Sequence, residues 1–365
     1  MNFSVEKNEI LKTIGLMQSI IEKKKTLPIL SNILINVDNE KSTIEATDLE
    51  ITLISKFNCK TIRKGSITVP AKKLYDIIKE LPNENINFEK IENNFIKLKT
   101  LKTEYKLLGL PEEEFPKKTI INKTSNINID KEIFIKAISM TSPTISQDDT
   151  KFNLCGLYIQ SEDNKINFVS TDGHRLSKYS TKKINDTRID NGIIIPRKGL
   201  IEIKKVLEQS ELINIYIENK YILIDNDIIN LYVRLIDGEF PNYKKVIPEK
   251  NSFPIKLNRQ LLNDAVRRIS IMSNDVTKNI SLIFSNKILI IEASNNDYGT
   301  AEEKIEIDYI GDRIKIIFNS RYLLDLFNST NCENINLYIK DNMSPCLFTD
   351  GDSEKFLSVI MPMRL

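Results

Sequence analysis

The segment Ser170–Tyr179, STDGHRLSKY, decides how the rest of the chain is interpreted. It contains the only histidine, His174, and its Asp-Gly pair is typical of a tight turn. Apolar residues alternate before this turn and resume at Leu176 after it, which predicts two strands joined by a corner. Because corners between strands lie at protein surfaces, we expect this segment at the surface.

Weaker copies of the same corner occur twice more in the chain, at Ala46–Leu53 and Glu292–Gly299. The surroundings of the corner repeat as well. Each copy opens with a short strand and an amphipathic helix, followed by two alternating strands, the corner, a second helix and further strands. Each second helix has a start signal, at Pro70, Pro196 and Asn319.

The repetition predicts an α+β fold of three tandem domains, each with two helices packed on one side of antiparallel sheet. We place these domains at residues 1–120, 125–248 and 252–365. A chain of 365 residues is also too long for a single core. The alternative is that similar strand and helix patterns recur by coincidence, but the copies agree in element order, corner and helix-start signals.

The sequence has no apolar run of eighteen residues, and its start, MNFSVEKNEI, has charges where a signal peptide would be apolar. We therefore expect a cytoplasmic protein without membrane association. The whole chain has a net charge of only +2, but its helix-like stretches are more positive than the remainder. If these helices share one face, that face suits a DNA phosphate backbone, and ordinary solvated helix faces are the alternative. The candidate DNA-binding residues on them include Lys72, Lys136, Lys198 and Arg267.

Catalytic and metal-binding chemistry find little support in the sequence. One histidine excludes a histidine-based metal cluster, and the four cysteines form no CxxC pair. Nucleotide-binding loops and hydrolase elbows are also absent from the sequence. We expect no catalytic residue, metal or cofactor. An enzyme that uses His174 as a base is a distant alternative.

Six motifs give the chain a strong resemblance to a known family over its whole length. They are TLPILSN at Thr26–Asn32, TVPAKK at Thr68–Lys73, STDGHRL at Ser170–Leu176, IIPRKG at Ile194–Gly199, LIDGEFPNY at Leu235–Tyr243 and MPMRL at Met361–Leu365. With these motifs the chain resembles the bacterial DNA polymerase III beta subunits, the sliding clamps.

The resemblance implies a non-enzymatic processivity factor. In this family, three clamp domains form half of a closed ring, and a head-to-tail homodimer encircles double-stranded DNA without sequence specificity. The implied partners are the DNA polymerase III alpha subunit, the clamp loader and other proteins with a clamp-binding motif. A monomeric DNA-associated scaffold that uses the same partner cleft without closing a ring is the alternative.

The resemblance also implies a peptide-binding cleft between the second and third domains, in which apolar and methionine side chains can adapt to several partners. The matching positions are Leu154, Thr171, Gly173, His174, Arg175, Leu176, Pro241, Lys245, Val246, Val359, Met361, Pro362, Met363 and Arg364. His174 and Arg175 are expected to form its polar rim. Two positions depart from the family pattern, Lys245 where arginine is frequent and Thr277 where an aromatic residue is common.

Two further sets of residues follow from the resemblance. DNA contacts are implied at Lys24, Lys151 and Phe152. A dimer seam is implied between Tyr105 and Leu107 of one copy and Ile271 and Met272 of the other. The acidic stretch that supports such seams is thin here, so we expect apolar contact to contribute more and the dimer to be weaker or differently sensitive to salt.

Overall fold

A computed structural model describes the chain except for residues 22–26, 118–120, 122, 124–125, 183–188, 190, 219, 251–253, 352, 354 and 365. The chain divides into two compact units. The first contains Met1–Asn128 and Ile201–Leu235, and the second contains Ile129–Leu200 and Ile236–Leu365. Each unit therefore combines parts of two neighbouring sequence repeats.

The six predicted helices are confirmed. They are α1 (Lys7–Met17), α2 (Ala71–Glu80), α3 (Lys131–Thr141), α4 (Arg197–Gln209), α5 (Arg259–Ile269) and α6 (Ser320–Ser329). Side chains cap three of them, because Asp130, Asn258 and Asn319 accept hydrogen bonds from the first turns of α3, α5 and α6. At α2 the preceding residue is Pro70, which ends a strand and fixes the backbone as the helix begins.

The described part of the chain contains twenty-four strands. They are β1 (Asn2–Glu6), β2 (Asn32–Val37), β3 (Ser42–Thr47), β4 (Ile51–Phe57), β5 (Lys60–Arg63), β6 (Gly65–Pro70), β7 (Asn85–Lys90), β8 (Phe95–Lys99), β9 (Glu104–Leu108), β10 (Gly156–Glu162), β11 (Lys165–Thr171), β12 (Arg175–Lys182), β13 (Ile193–Pro196), β14 (Asn214–Glu218), β15 (Tyr221–Asp225), β16 (Ile229–Arg234), β17 (Ile255–Asn258), β18 (Asn279–Ser285), β19 (Ile288–Asn295), β20 (Gly299–Glu306), β21 (Ile314–Asn319), β22 (Asn334–Tyr338), β23 (Cys346–Asp350) and β24 (Phe356–Ile360).

These strands form two sheets in each unit, and every strand pairing in the ladders is antiparallel. In the first unit the strand orders are β5-β1-β7-β8-β9 and β14-β15-β16-β4-β3-β2-β6. In the second unit they are β13-β10-β11-β12-β24-β23-β22-β17 and β20-β19-β18-β21. Helices and antiparallel sheets together confirm the predicted α+β class.

The sheet orders show how one repeat joins the next. In each unit, the strand that follows the corner of one repeat pairs with the last strand of the following repeat. These pairings are β4 with β16 and β12 with β24. We call them the first and the second strand junction. Among the described strands, the third corner strand, β20, and the last strand of the first repeat, β9, each stand at a sheet edge.

The helices bury apolar faces against these sheets. Helix α1 buries Ile10, Ile14 and Met17, spaced as the sequence pattern predicts. In the first unit the rings of Phe3 and Phe88 stack with centroids 4.7 Å apart. The domain boundaries proposed from the sequence stay a prediction, because the continuous sheets group the chain by junction rather than by repeat.

Candidate partner-binding site

The corner in Ser170–Tyr179 is the turn between β11 and β12. The Asp172 carboxylate accepts hydrogen bonds from the backbone N–H groups of His174 (2.9 Å) and Arg175 (3.0 Å). The Thr171 hydroxyl accepts from the Gly173 N–H at 3.1 Å. Gly173 has a φ of +93°, a conformation that favours glycine. Local side-chain bonds therefore fix this turn, with His174 exposed at its tip.

An apolar cluster lies on the sheet beside the corner. Its buried members are Leu154, Val169, Leu176, Ile194, Phe240, Tyr243, Leu347 and Val359. The rings of Tyr158 and Phe240 stack in parallel with centroids 4.7 Å apart, and Tyr243 meets both edge-on. Residues from the sheet and from the segment around Phe240 are thus brought together, although they are far apart in sequence.

The C-terminal segment is held against the corner by backbone hydrogen bonds. The Met361 N–H donates to the His174 carbonyl at 2.9 Å, and the Met363 N–H donates to the Ile317 carbonyl at 2.7 Å. Met361 is 40% exposed and Val246 is 51% exposed, so both offer apolar surface beside the buried cluster. Exposed apolar and methionine side chains therefore lie next to the corner, where the resemblance implies a partner cleft.

All predicted cleft residues fall in the second unit, and burial divides them into two groups. Leu154, Leu176 and Val359 belong to the buried cluster, whereas Thr171, Arg175, Pro362 and Met363 are half-buried. The exposed members are Gly173, His174, Pro241, Lys245, Val246, Met361 and Arg364.

Arg175 is placed differently from its predicted position at the rim. Its side chain is 10% exposed and forms ion pairs with Asp172 (2.9 Å) and Asp325 (2.6 Å). It also donates to the Pro143 carbonyl at 2.6 Å, and its guanidinium lies 4.2 Å from the centre of the Tyr322 ring. Since strand residues alternate in direction, Arg175 faces away from its neighbour Leu176. Arg175 therefore braces the helices behind the corner and leaves the polar rim to His174.

Lys178 is a feature of this region that the sequence reasoning missed. It lies on β12 between Val169 of β11 and Leu357 of β24. Its ammonium group is 5.8 Å from the centre of the Tyr243 ring, and burial lowers the pKa of Lys178. Burial also raises the pKa of the Tyr243 hydroxyl to about 12. The signal in the sequence was a lysine two residues after Leu176, on the same strand face.

The predicted DNA contacts occupy two kinds of position. Lys72, Lys136, Lys198 and Arg267 are exposed on helices α2, α3, α4 and α5. Lys151 instead lies beside the corner, with its ammonium group 3.9 Å from where a Cβ atom on Gly173 would be. Phe152 is 56% exposed next to it. Lys24 lies outside the described residues.

The predicted seam residues lie on one sheet edge, β9, and in the short 3-10 helix Ser270–Met272 beside the other, β20. Tyr105 and Leu107 are on β9, and Tyr105 is 37% exposed. Ile271 is 80% exposed, and the Met272 side chain reaches β20, where it lies 3.9 Å from a Cβ position on Gly299. The acidic side of the seam is already engaged, because Glu303 of β20 pairs with Arg268 at 2.6 Å.

The two positions that depart from the family pattern are both resolved. Lys245 is exposed beside Val246. The Thr277 hydroxyl donates to the Asn279 side chain at 2.6 Å. Within the described ranges, the structure contains no group of three or more potential metal ligands and no helix long and apolar enough to cross a membrane.

Comparison with known proteins covers the whole chain. Family models for the N-terminal, central and C-terminal domains of the DNA polymerase III beta subunit match residues 1–119, 128–242 and 244–364. The beta sliding clamp of Pseudomonas aeruginosa is 31% identical, and that of Haemophilus influenzae is 28% identical, each over 100% of both chains.

Solved structures agree with the sequence relatives. The crystal structure of the Pseudomonas aeruginosa subunit matches with a TM-score of 0.94 at 32% identity, and the Caulobacter crescentus subunit with 0.95 at 29% identity. Both alignments cover 100% of each chain. Another Pseudomonas aeruginosa structure is described with griselimycin bound. These matches confirm the predicted architecture of three tandem domains.

Proposed function

The chain belongs to the DNA polymerase III beta subunit family, the sliding clamps, and from this premise we propose that it is a processivity factor that closes a ring around duplex DNA. It is a non-catalytic accessory subunit of the polymerase. A ring holds DNA by topology, so a polymerase tethered to it rebinds at high effective concentration.

The observation that carries this proposal is the pair of sheet edges, β9 and β20. Each internal junction pairs a corner strand with the last strand of the next repeat. Among the described strands, the third corner strand, β20, and the last strand of the first repeat, β9, would form the third such pair. Within one chain they lie in different sheets and do not pair with each other. A second copy can supply both missing partners, which closes a two-fold, head-to-tail dimer.

The internal junctions also fix the expected register. Ile51 pairs with Val233 in the first junction, and Arg175 pairs with Ile360 in the second. The ladders place Gly299 at the position of Ile51 and Arg175.

A shared hydrogen bond identifies the matching residue on β9. The N–H groups of Leu110, Ile236 and Met363 donate to the carbonyls of Thr68, Ile194 and Ile317, which occupy equivalent positions. Ile236 and Met363 lie three residues after the junction residues Val233 and Ile360. By the same spacing, Leu110 identifies Leu107 as the corresponding residue on β9. Gly299 should therefore face Leu107 of the second copy, and Ala301 should face Tyr105. This register brings the two predicted halves of the seam together.

DNA binding in this proposal is weak and independent of sequence. The exposed cations of the helices, Lys72, Lys136, Lys198 and Arg267, contact phosphates, together with Lys24 and Lys151. Phe152, exposed next to Lys151, makes apolar contact with the DNA. Replacing one phosphate contact should weaken binding equally for all sequences and reduce the salt dependence by about one ion.

Partner proteins are proposed to bind the cleft next to the corner. Its apolar cluster accepts a short apolar peptide, with His174 and Lys245 at the exposed edge. The polymerase alpha subunit, the clamp loader and other proteins with a clamp-binding motif would compete for this one cleft. A His174→Ala variant is expected to weaken peptide binding, whereas an unchanged affinity would argue against this placement.

The test of the whole proposal is retention on closed DNA. The protein, loaded by a clamp loader, should stay on circular duplex DNA and should be lost after the circle is cut. Size measurement at micromolar concentration accompanies it, and a particle with one protomer's mass would favour the monomeric scaffold. Equal retention on circular and linear DNA would contradict a ring.

A further inference from the structure

Lys178 is a cation in a largely apolar setting. The lysine is half-buried, and its neighbours across the sheet are Val169 and Leu357. Among the residues that the structure describes, it forms no ion pair or hydrogen bond, and its one polar contact is with the face of Tyr243. Partial burial of a cation costs free energy unless an anion or hydrogen-bond partner compensates.

The fold does not require a lysine at this position. The equivalent residue in the first junction is Ile54, which pairs with Glu45 and Asn230 as Lys178 pairs with Val169 and Leu357. Ile54 is 8% exposed and packs in an apolar cluster with Leu223 and Tyr232. An apolar side chain therefore satisfies this sheet position, so packing alone does not account for the charge.

The surroundings of Lys178 contain other charges and an unused donor. Burial lowers the pKa of Lys178 most; the Glu162 carboxylate is the next influence and raises that pKa, whereas Lys165 and Lys244 lower it. Glu162 is itself paired with Lys244. The Tyr243 hydroxyl is buried and has no hydrogen-bond partner within the described part of the chain. Such an unsatisfied donor is unusual, and a bound acceptor would satisfy it.

We propose that Lys178 forms an anion-binding subsite of the partner cleft, which takes the carboxylate of an aspartate or glutamate that flanks the apolar part of a docking peptide. The inference rests on the proposed partner-binding function of the cleft. Tyr243, which belongs to the apolar cluster and lies under the Lys178 ammonium group, connects the subsite to the cleft floor. Partners with an acidic flank would then bind in preference to neutral ones.

The experiment compares two blocked synthetic peptides that share a Leu-Leu-Phe core and carry either Glu-Glu or Gln-Gln on both sides. Binding to the full-length protein is measured by calorimetry at low salt and again at about 0.5 M NaCl. We expect the acidic peptide to bind about tenfold tighter at low salt, with the preference shrinking at high salt.

Two variants locate the effect. Lys178→Ile introduces the residue of the first junction and should reduce the acidic preference to about one. Lys182→Met removes an exposed charge from the same face of the same strand and should keep the preference. Thermal unfolding of both variants checks that they fold.

Two other sets of results would overturn the subsite. Equal affinities of the two peptides for the unmodified protein, or an acidic preference that survives in Lys178→Ile, would overturn the subsite and leave the cleft in place. Failure of both peptides to bind the unmodified protein would overturn the subsite together with the proposed cleft.

Discussion

The two strand junctions have the same backbone pairing but opposite side-chain character. On the sheet face of the cleft, the second junction carries Leu176 opposite Val359, whereas the first carries Thr52 opposite Tyr232. Val169 and Ile194 of the second junction likewise correspond to Glu45 and Thr68 of the first. The repeated fold therefore provides two equivalent places, and at these positions the second is the more apolar.

The first junction is also covered. Ile121 packs on Ile54, Leu223 and Tyr232, and Lys123 forms an ion pair with Asp225 at 2.6 Å. In the second junction, the equivalent surface is flanked by exposed Val246 and Met361. Ile121 thus covers part of the apolar surface of the first junction, whereas Val246 and Met361 leave apolar surface exposed beside the second.

On the helix side of the sheets, the second junction is the more polar of the two. Behind the second junction, Arg175 fills the space between helices with three polar contacts and a ring contact. Behind the first, the equivalent residue is Ile51, and an open cavity of about 440 Å³ lined by Gly15, Ser19 and Glu202 remains. The junction that is proposed to bind a partner is thus the one with the stronger internal brace.

The largest expected effect is the loss of this brace. Arg175→Ala leaves Asp172 and the Asp325 carboxylate without their cation, which should destabilise the second unit by about 3 kcal/mol. Urea unfolding measures the change, and Lys182→Ala serves as the control because it removes an exposed cation from the same strand. Equal stabilities of the two variants would show that the guanidinium contacts do not support the junction.

A slightly smaller effect is expected when the second junction is given the polarity of the first. Leu176→Thr places a hydroxyl where a leucine is 2% exposed, and should cost about 2 kcal/mol of stability. Peptide affinity should fall about tenfold because the cleft floor loses apolar area. Calorimetry with an apolar peptide measures this change. An unchanged affinity would show that the apolar cluster around Leu176 does not contribute to peptide binding.

Loss of a polar contact behind the first junction should lower the free energy of unfolding by less. The Ser19 hydroxyl donates to the Glu202 carboxylate at 2.8 Å, and Lys205 pairs with the other oxygen at 2.8 Å. Ser19→Ala should cost about 1 kcal/mol, because Lys205 still compensates the carboxylate. A double-mutant cycle with Glu202→Gln measures the coupling, and a loss as large as that of Arg175→Ala would remove the difference between the junctions.

The smallest effect at neutral pH concerns Cys346, which stands where the first junction has Ile222. Burial raises the pKa of the Cys346 thiol from 9.0 to about 12. Since the raised pKa favours the protonated thiol in the folded state, this group's contribution to stability is present below pH 9.0 and is lost as the pH rises towards 12. Cys346→Ile should remove that part of the alkaline dependence. Rapid alkylation of Cys346 in the folded protein at pH 8 would contradict its burial.

The sequence predicted those features that depend on nearby residues. The start of α6 at Asn319 and the turn at Asp172 both depend on a side chain that accepts a hydrogen bond from the adjacent backbone. Short motifs were therefore sufficient to predict them. The repeats then gave the α+β class and the order of elements. The family resemblance supplied the cleft, and three of its residues, Leu154, Leu176 and Val359, belong to one apolar cluster.

The features that the sequence did not predict depend on pairing between distant strands. Arg175 was assigned to the rim because its neighbours are there, but alternation along β12 turns it to the helix side. The burial of Lys178 became visible only when Leu357 was paired with it, 179 positions later. Lys151 was assigned to DNA, and its proximity to Gly173 emerged only from the fold.

A second copy of the chain is proposed to complete a third junction in the register of the first two. Tyr105→Cys combined with Ala301→Cys tests it directly, because residues facing each other across strands are close enough for a disulfide. Under mild oxidation we expect a covalent dimer linked at both seams, while a control with Tyr105→Cys and Glu302→Cys, shifted by one residue, should cross-link far less. If the shifted pair cross-links efficiently, or if neither pair cross-links, the third junction does not form in this register.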